Sequence, residues 1–189
     1  MTFTKMSGVW MALTVLFLSW LCIHLDSTPS ADSSRSGFSV PEALGFLGHI
    51  AVAPHSLGTE ANDRVRAYID SSCRAIGLDV ADMPFTLPDT GYHGMVIARG
   101  TNVVATLHGR GNGRGNGRGN GKNILVMGHI DSEPNSLGAG DDGSACAAML
   151  ESAKALKAGS PLDRDVVFLF TNGEENGLLG ATAFARDSG

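Results

Sequence analysis

The sequence predicts an α/β fold, and three features of the stretch from Asn123 to Gly180 carry that prediction. Two apolar runs, ILVMG and VVFLF, read as buried strands. Between them SACAAMLESAKAL reads as a helix, and strand, helix, strand in that order makes a parallel crossover of right-handed sense. Each run also stops at a cluster of polar residues, and open α/β sheets bind their ligands beyond the carboxyl ends of their strands.

The clusters are His129-Ile130-Asp131, Asp141-Asp142 and Glu174-Glu175. Side chains alternate along a strand, so His129 and Asp131 point the same way: an imidazole can hold a metal while a neighbouring carboxylate orients it. The glycines around Asp141-Asp142, in GAGDDGS, let backbone and carboxylate approach an ion closely, and the following helix starts with its positive end nearby. Consecutive glutamates diverge, so one can ligate while the other stays free as a general base. Taken singly, each cluster has a plainer reading: a polar surface pair, a turn with a helix cap, a solvated face. Together, at one sheet edge, they point to metal-assisted hydrolysis.

GHIDS, GAGDDGS and NGEENGLLGA resemble the co-catalytic zinc aminopeptidases, the family-28 metallopeptidases, over residues 40–185. The resemblance implies a zinc-exopeptidase-like three-layer sandwich with a mixed, largely parallel sheet. It also implies roles for five residues: His129, Asp141 and Glu175 as zinc ligands, with Asp141 bridging two zinc ions, Glu174 as catalytic general base, and Asp131 orienting His129. Asp142 then falls to a structural part in its loop. Family members take an aspartate and a histidine ligand from segments well downstream, whereas no histidine follows His129 before Gly189. The chain is accordingly expected to be an incomplete, N-terminal part of a peptidase domain, with three of five expected ligands and doubtful activity alone. VVFLF is expected to be left as an unpaired edge.

Upstream, Val9–Leu25 is almost continuously apolar, at the lower length limit for a transmembrane helix. Residues 1–25 are read as a cytoplasmic tip and anchor, a cleaved signal being the alternative, and 26–38 as a polar, serine-rich linker. Lys5 before the run and Asp26 after it favour a cytoplasmic N-terminus. The peptidase part, 39–189, is then a single-pass protein's non-cytoplasmic domain, in a periplasmic, extracellular or luminal space.

In that part Ser39-Val40-Pro41-Glu42 predicts a helix start, and Thr59 caps a second helix with Val65, Tyr68, Ile69, Cys73 and Ile76 on one face and Gly77 as its stop. This segment resembles the membrane-anchored endoplasmic-reticulum and vacuolar branch of the family. His55 reads as part of a turn. Strands are expected at 78–83, 94–97 and 101–107. The last, NVVATLHG, resembles the family strand that pairs with the one leading to the metal histidine, making the GRGN repeats of residues 109–122 an expanded hairpin loop. Arginine-glycine repeats can contact RNA, but these three arginines supply little charge, and the net charge of −5 argues against general nucleic-acid binding. Cys73 and Cys146 lie on different predicted helices with no CxxC, so neither a disulfide framework nor a thiolate zinc site is expected. The partners expected are a peptide substrate and, through the N-terminal helix, a membrane; oligomeric state is left open. The competing reading is a non-catalytic receptor or interaction domain on the same scaffold.

Overall fold

A computed structural model describes residues 10, 11, 13–21, 37–89, 96–110 and 123–187. The chain forms two compact units, residues 1–32 and 33–189. In the first, residues 10, 11 and 13–21 form helix α1. The expected anchor is not supported: among the described residues no helix is long and apolar enough to cross a membrane. The expected linker falls almost wholly outside the described residues, as do repeat residues 111–122.

In the second unit α2 (Val40–Ile50) and α3 (Glu60–Ile76) are followed by β1 (Asp79–Asp89), β2 (Val96–Leu107), β3 (Ile124–His129), α4 (Ser144–Ala158), β4 (Val166–Thr171) and α5 (Leu179–Asp187). The helix ends follow the sequence. Ser39 Oγ accepts the Glu42 N–H, Thr59 Oγ1 accepts the Asn62 N–H, and Gly77 ends α3 in the left-handed conformation at φ 87° that glycine adopts without strain. The Ser39 N–H reaches across to Glu151 Oε1 at 2.9 Å, and Lys154 pairs with Glu42, so α2 is pinned to α4 at two points.

The sheet order is β1-β2-β4-β3. Among the described strands only β3 and β4 run parallel; β1 with β2 and β2 with β4 are antiparallel, so the described sheet is mixed but not largely parallel. The parallel crossover is present. The expected pairing of β2 with β3 is not, because β4 lies between them, and the repeat segment therefore joins strands that are not neighbours. The exposure pattern gives the reason. Val166, Phe168, Leu169 and Phe170 are all at most 3% exposed, as a central strand covered on both faces requires, whereas Ile124, Leu125 and Met127 of β3 are about half exposed. VVFLF is thus not an edge: the edge strands of the described sheet are β1 and β3.

The expected strands 94–97 and 101–107 are one strand from Val96, and Gly100 does not break it. A Cβ there would lie 2.5 Å from the Phe85 ring, so glycine serves the close packing of β1 on β2. Val80, Val103, Ala105, Val166, Phe168 and Phe170 pack with Val65, Ile69 and Cys73 of α3 and Cys146, Met149, Leu150 and Ala153 of α4. The alternate residues Met83, Phe85, Leu87 and Ala98 face Leu179 and Ala183 of α5. Helices thus cover both faces, in three layers. Cys73 and Cys146 are free and fully buried, and burial pushes both thiols well up, Cys73 to about 12.

At the far end of the sheet from the polar clusters His108 lies between Asp165 (3.2 Å) and Asp79 (3.4 Å). Its hydrogen bond to Asp165 raises the imidazole above 6.5; burial opposes the rise and the hydrogen bond to Asp79 adds to it. The Gly109 N–H, followed by His108, lowers Asp165 below 3.8. A raised histidine stabilises the fold fully below its unfolded pKa of 6.5, and the contribution goes as pH rises through the folded value. A lowered aspartate contributes above 3.8 and loses it as pH falls through the folded value. The thermal stability advantage of wild type over His108→Gln should therefore be greatest between about pH 4 and 6.5 and fade at higher pH. It should be small throughout, since His108 is half exposed. Calorimetry across pH 4–9 checks both the sign and the window.

Candidate metal centre

β3 and β4 run side by side in register His129↔Thr171, so the polar segments that follow them emerge together. Asp131 links the two. Its carboxylate is 1% exposed and accepts the Glu174 N–H on Oδ1 and the Glu175 N–H on Oδ2, each at 3.1 Å. Burial alone would raise this acid, but the His129 hydrogen bond and the two amides outweigh it and hold the pKa below 3.8.

His129 is 8% exposed. Its Nδ1 lies 3.0 Å from the Asp131 main-chain carbonyl and 3.7 Å from that residue's carboxylate. A carbonyl can only accept, so Nδ1 donates, and Nε2 is turned toward the remaining acids. Nε2 lies 3.0 Å from Asp141 Oδ1 and 3.9 Å from Glu174 Oε2. Burial works against the imidazolium, but Asp131 and Asp141 prevail and hold the pKa up at about 9. Glu175 is raised, first by burial and then by the negative charge of Glu133 and Asp141.

His129, Asp141 and Glu175 each present one ligand atom, all within 4.8 Å of one another. One imidazole with carboxylates is a donor set that suits zinc, and the directed Nε2 and crowded negative charge fit a cation. Asp141 and Asp142 occupy a widened turn, Ala139–Gly143, with a cis peptide between them, just ahead of α4. Their carboxylates diverge in use: Asp141 reaches His129 Nε2, whereas Asp142 Oδ2 accepts the His129 main-chain N–H at 3.2 Å. Gly128 makes room for that bond, since a Cβ there would lie 2.9 Å from Asp142 Oδ2.

The five residues singled out in the sequence all stand at this edge. His55 is not in the ligand cluster. It is buried behind the 131–138 loop, its N–H donates to Ser132 Oγ at 2.9 Å, and its carbonyl accepts the Ser132 N–H at 3.4 Å. Three buried asparagines behind the glutamate loop, Asn62, Asn102 and Asn172, have no role in the sequence reading, because an asparagine's burial and partners leave no periodic or spacing signal.

Asp131→Asn should leave the fold intact but destabilise it by about 1.5–3 kcal/mol, because an amide cannot accept both N–H groups and one is left facing a donor. Urea unfolding at neutral pH measures the loss. An unchanged midpoint would mean that the two amides do not depend on the carboxylate.

The chain has relatives of known name. Residues 102–189 match peptidase family M28. A vacuolar membrane protease of Laccaria bicolor is 29% identical over 182 residues, covering 92% of this chain and 17% of that protein. One from Candida tropicalis is 36% identical over 141 residues, covering 73% of this chain and 15% of that protein. The chain therefore spans less than a fifth of the length of these two curated relatives. Among solved structures, a zinc aminopeptidase from Bacillus subtilis superposes with a TM-score of 0.67 at 17% identity, over 79% of this chain and 65% of that one. An aminopeptidase from Aneurinibacillus superposes with a TM-score of 0.69 at 14% identity, over 82% and 67%. A glutaminyl cyclase from Porphyromonas gingivalis gives 0.64 at 21% identity, over 79% and 53%. These likenesses carry the fold alone, and the likeness to peptidase family M28 rests on the match over residues 102–189.

Proposed function

We propose that the chain carries the first part of a two-zinc exopeptidase centre, with His129, Asp141 and Glu175 as ligands and Glu174 as general base. The observation that supports this most is the convergence of those three ligand atoms within 4.8 Å, beside a second glutamate whose Oε2 stays 3.9 Å from the imidazole. Zinc bound there supplies Lewis-acid polarisation of the scissile carbonyl and acidifies water. The protein supplies the rest. The Asp131 main chain fixes the tautomer that offers Nε2, and the paired amides on its carboxylate fix the backbone of Glu174 and Glu175 beside it. Glu174 is placed to take a proton from the attacking water and return it to the leaving amine.

The solved structures of similar fold include both aminopeptidases and glutaminyl cyclases, so fold alone does not choose between hydrolysis and cyclisation. The peptidase family match and the protease relatives favour hydrolysis, of a peptide substrate. The presence of Glu174 beside the ligand set weighs against a non-catalytic receptor domain. The relatives' name supports a membrane setting, and the charge bias around the apolar N-terminus is the support for the non-cytoplasmic side.

With three ligand residues among the described ones for two ions, zinc binding by this chain should be weak and sub-stoichiometric, and hydrolysis of aminoacyl reporters unmeasurable. Glu175→Gln should weaken zinc binding further and Glu174→Gln should not, by calorimetric titration. In a polypeptide extended by the downstream part of a relative, Glu174→Gln should keep zinc and lower kcat by about 10²–10⁴-fold. The opposite pattern in the two mutants would overturn the assignment of the pair.

A further inference from the structure

Asn62 of α3, Asn102 of β2 and Asn172 at the end of β4 are 2%, 0% and 2% exposed, and none has a part in the chemistry proposed above. Asn102 Oδ1 accepts the Asn172 N–H at 3.0 Å, and its Nδ2 donates to the Gly180 carbonyl at 2.8 Å. The Gly180 N–H donates in turn to the Asn172 carbonyl at 2.9 Å. The Asn102 side chain thus acts as an additional peptide group, closing the neck of the loop that carries both glutamates. A Cβ on Gly180 would collide with Asn102 Oδ1 and lie 2.5 Å from the Asn172 carbonyl oxygen, so only glycine admits the amide.

Asn172 is held on its other side as well. It exchanges a reciprocal pair of amide hydrogen bonds with Asn62, at 2.8 and 3.1 Å, and Asn62 Nδ2 also donates to the His55 carbonyl at 3.0 Å. His55 is bonded to Ser132, the residue after Asp131. The network therefore ties the stem of the glutamate loop to the strand end that carries His129. The loop needs such anchors: Gly173, Gly177 and Leu178 all have positive φ, at 74°, 97° and 61°, and the leucine adopts that conformation only under strain.

We infer that Asn102 and Asn62 are positioning residues of this centre, whose buried amides fix the neck of the 172–180 loop and so set where Glu174 and Glu175 stand relative to His129. The effect on metal rests on the ligand assignment above; the effect on the loop does not. Asn102→Asp is nearly isosteric, keeps the acceptor for Asn172 and turns an acceptor toward the Gly180 carbonyl. Asn62→Asp likewise removes the donor to Asn172 and His55.

The test uses the full 189-residue chain. Hydrogen exchange is followed in metal-free protein, Co²⁺ affinity and visible absorption are measured by titration, and His129→Gln serves as the control. Each asparagine variant should raise exchange of residues 172–180 at least about tenfold while α4 exchanges as in wild type, and should weaken Co²⁺ binding about 10- to 100-fold, as loss of groups that orient ligands does. Equal exchange in loop and α4 would reduce the role to general stability and overturn the inference, as would unchanged loop exchange and Co²⁺ affinity in both variants. If one variant fails to fold, the other decides. Co²⁺ binding untouched by His129→Gln would sink the ligand assignment instead, and loop exchange would still decide the role of the asparagines.

Discussion

The arrangement at the sheet edge depends on one buried carboxylate. Asp131 is almost fully shielded from water, and a charge there is tolerated only because its oxygens are occupied, by the Glu174 and Glu175 amides, with His129 beside them. The same residue's carbonyl orients the imidazole. Two segments more than forty residues apart are thus joined through one side chain and its own main chain. The position of the glutamates relative to the histidine follows from that junction.

The sheet makes the junction possible. β3 and β4 are the only parallel pair among the described strands, so their carboxyl ends lie side by side; the turn ahead of α4 brings Asp141 and Asp142 to the same edge, and α4 returns the chain. Asp142 and Asp141 divide the work there: one accepts a backbone N–H from His129 and the other faces its ring. Glycines at 128 and 180 are required for contact and not for flexibility, each leaving space that a side chain's oxygen fills.

Much of this was legible in the sequence. The two apolar runs and the helix between them gave the crossover, and the residues at the strand ends gave the cluster, because strand period and strand direction fix where such side chains emerge. Strand order was not legible. The resemblance suggested that β2 pairs with β3, but the order depends on which strand is apolar on both faces, and β4, with Phe168, Leu169 and Phe170 all buried, takes the centre. The strands expected at 94–97 and 101–107 are one, and the glycine between them, Gly100, makes room for the Phe85 ring. The asparagine network was invisible, since its members lie 40 and 70 residues apart and meet only in the fold.

The central claim is that His129 gives a ring nitrogen to a metal shared with the carboxylates of Asp141 and Glu175. Zinc K-edge X-ray absorption on the zinc-loaded chain tests it most directly. The account predicts a first shell of nitrogen and oxygen donors with the outer-shell scattering of one imidazole, and the loss of that imidazole pattern in His129→Gln. An all-oxygen shell in wild type, or imidazole scattering that survives the substitution, would contradict it.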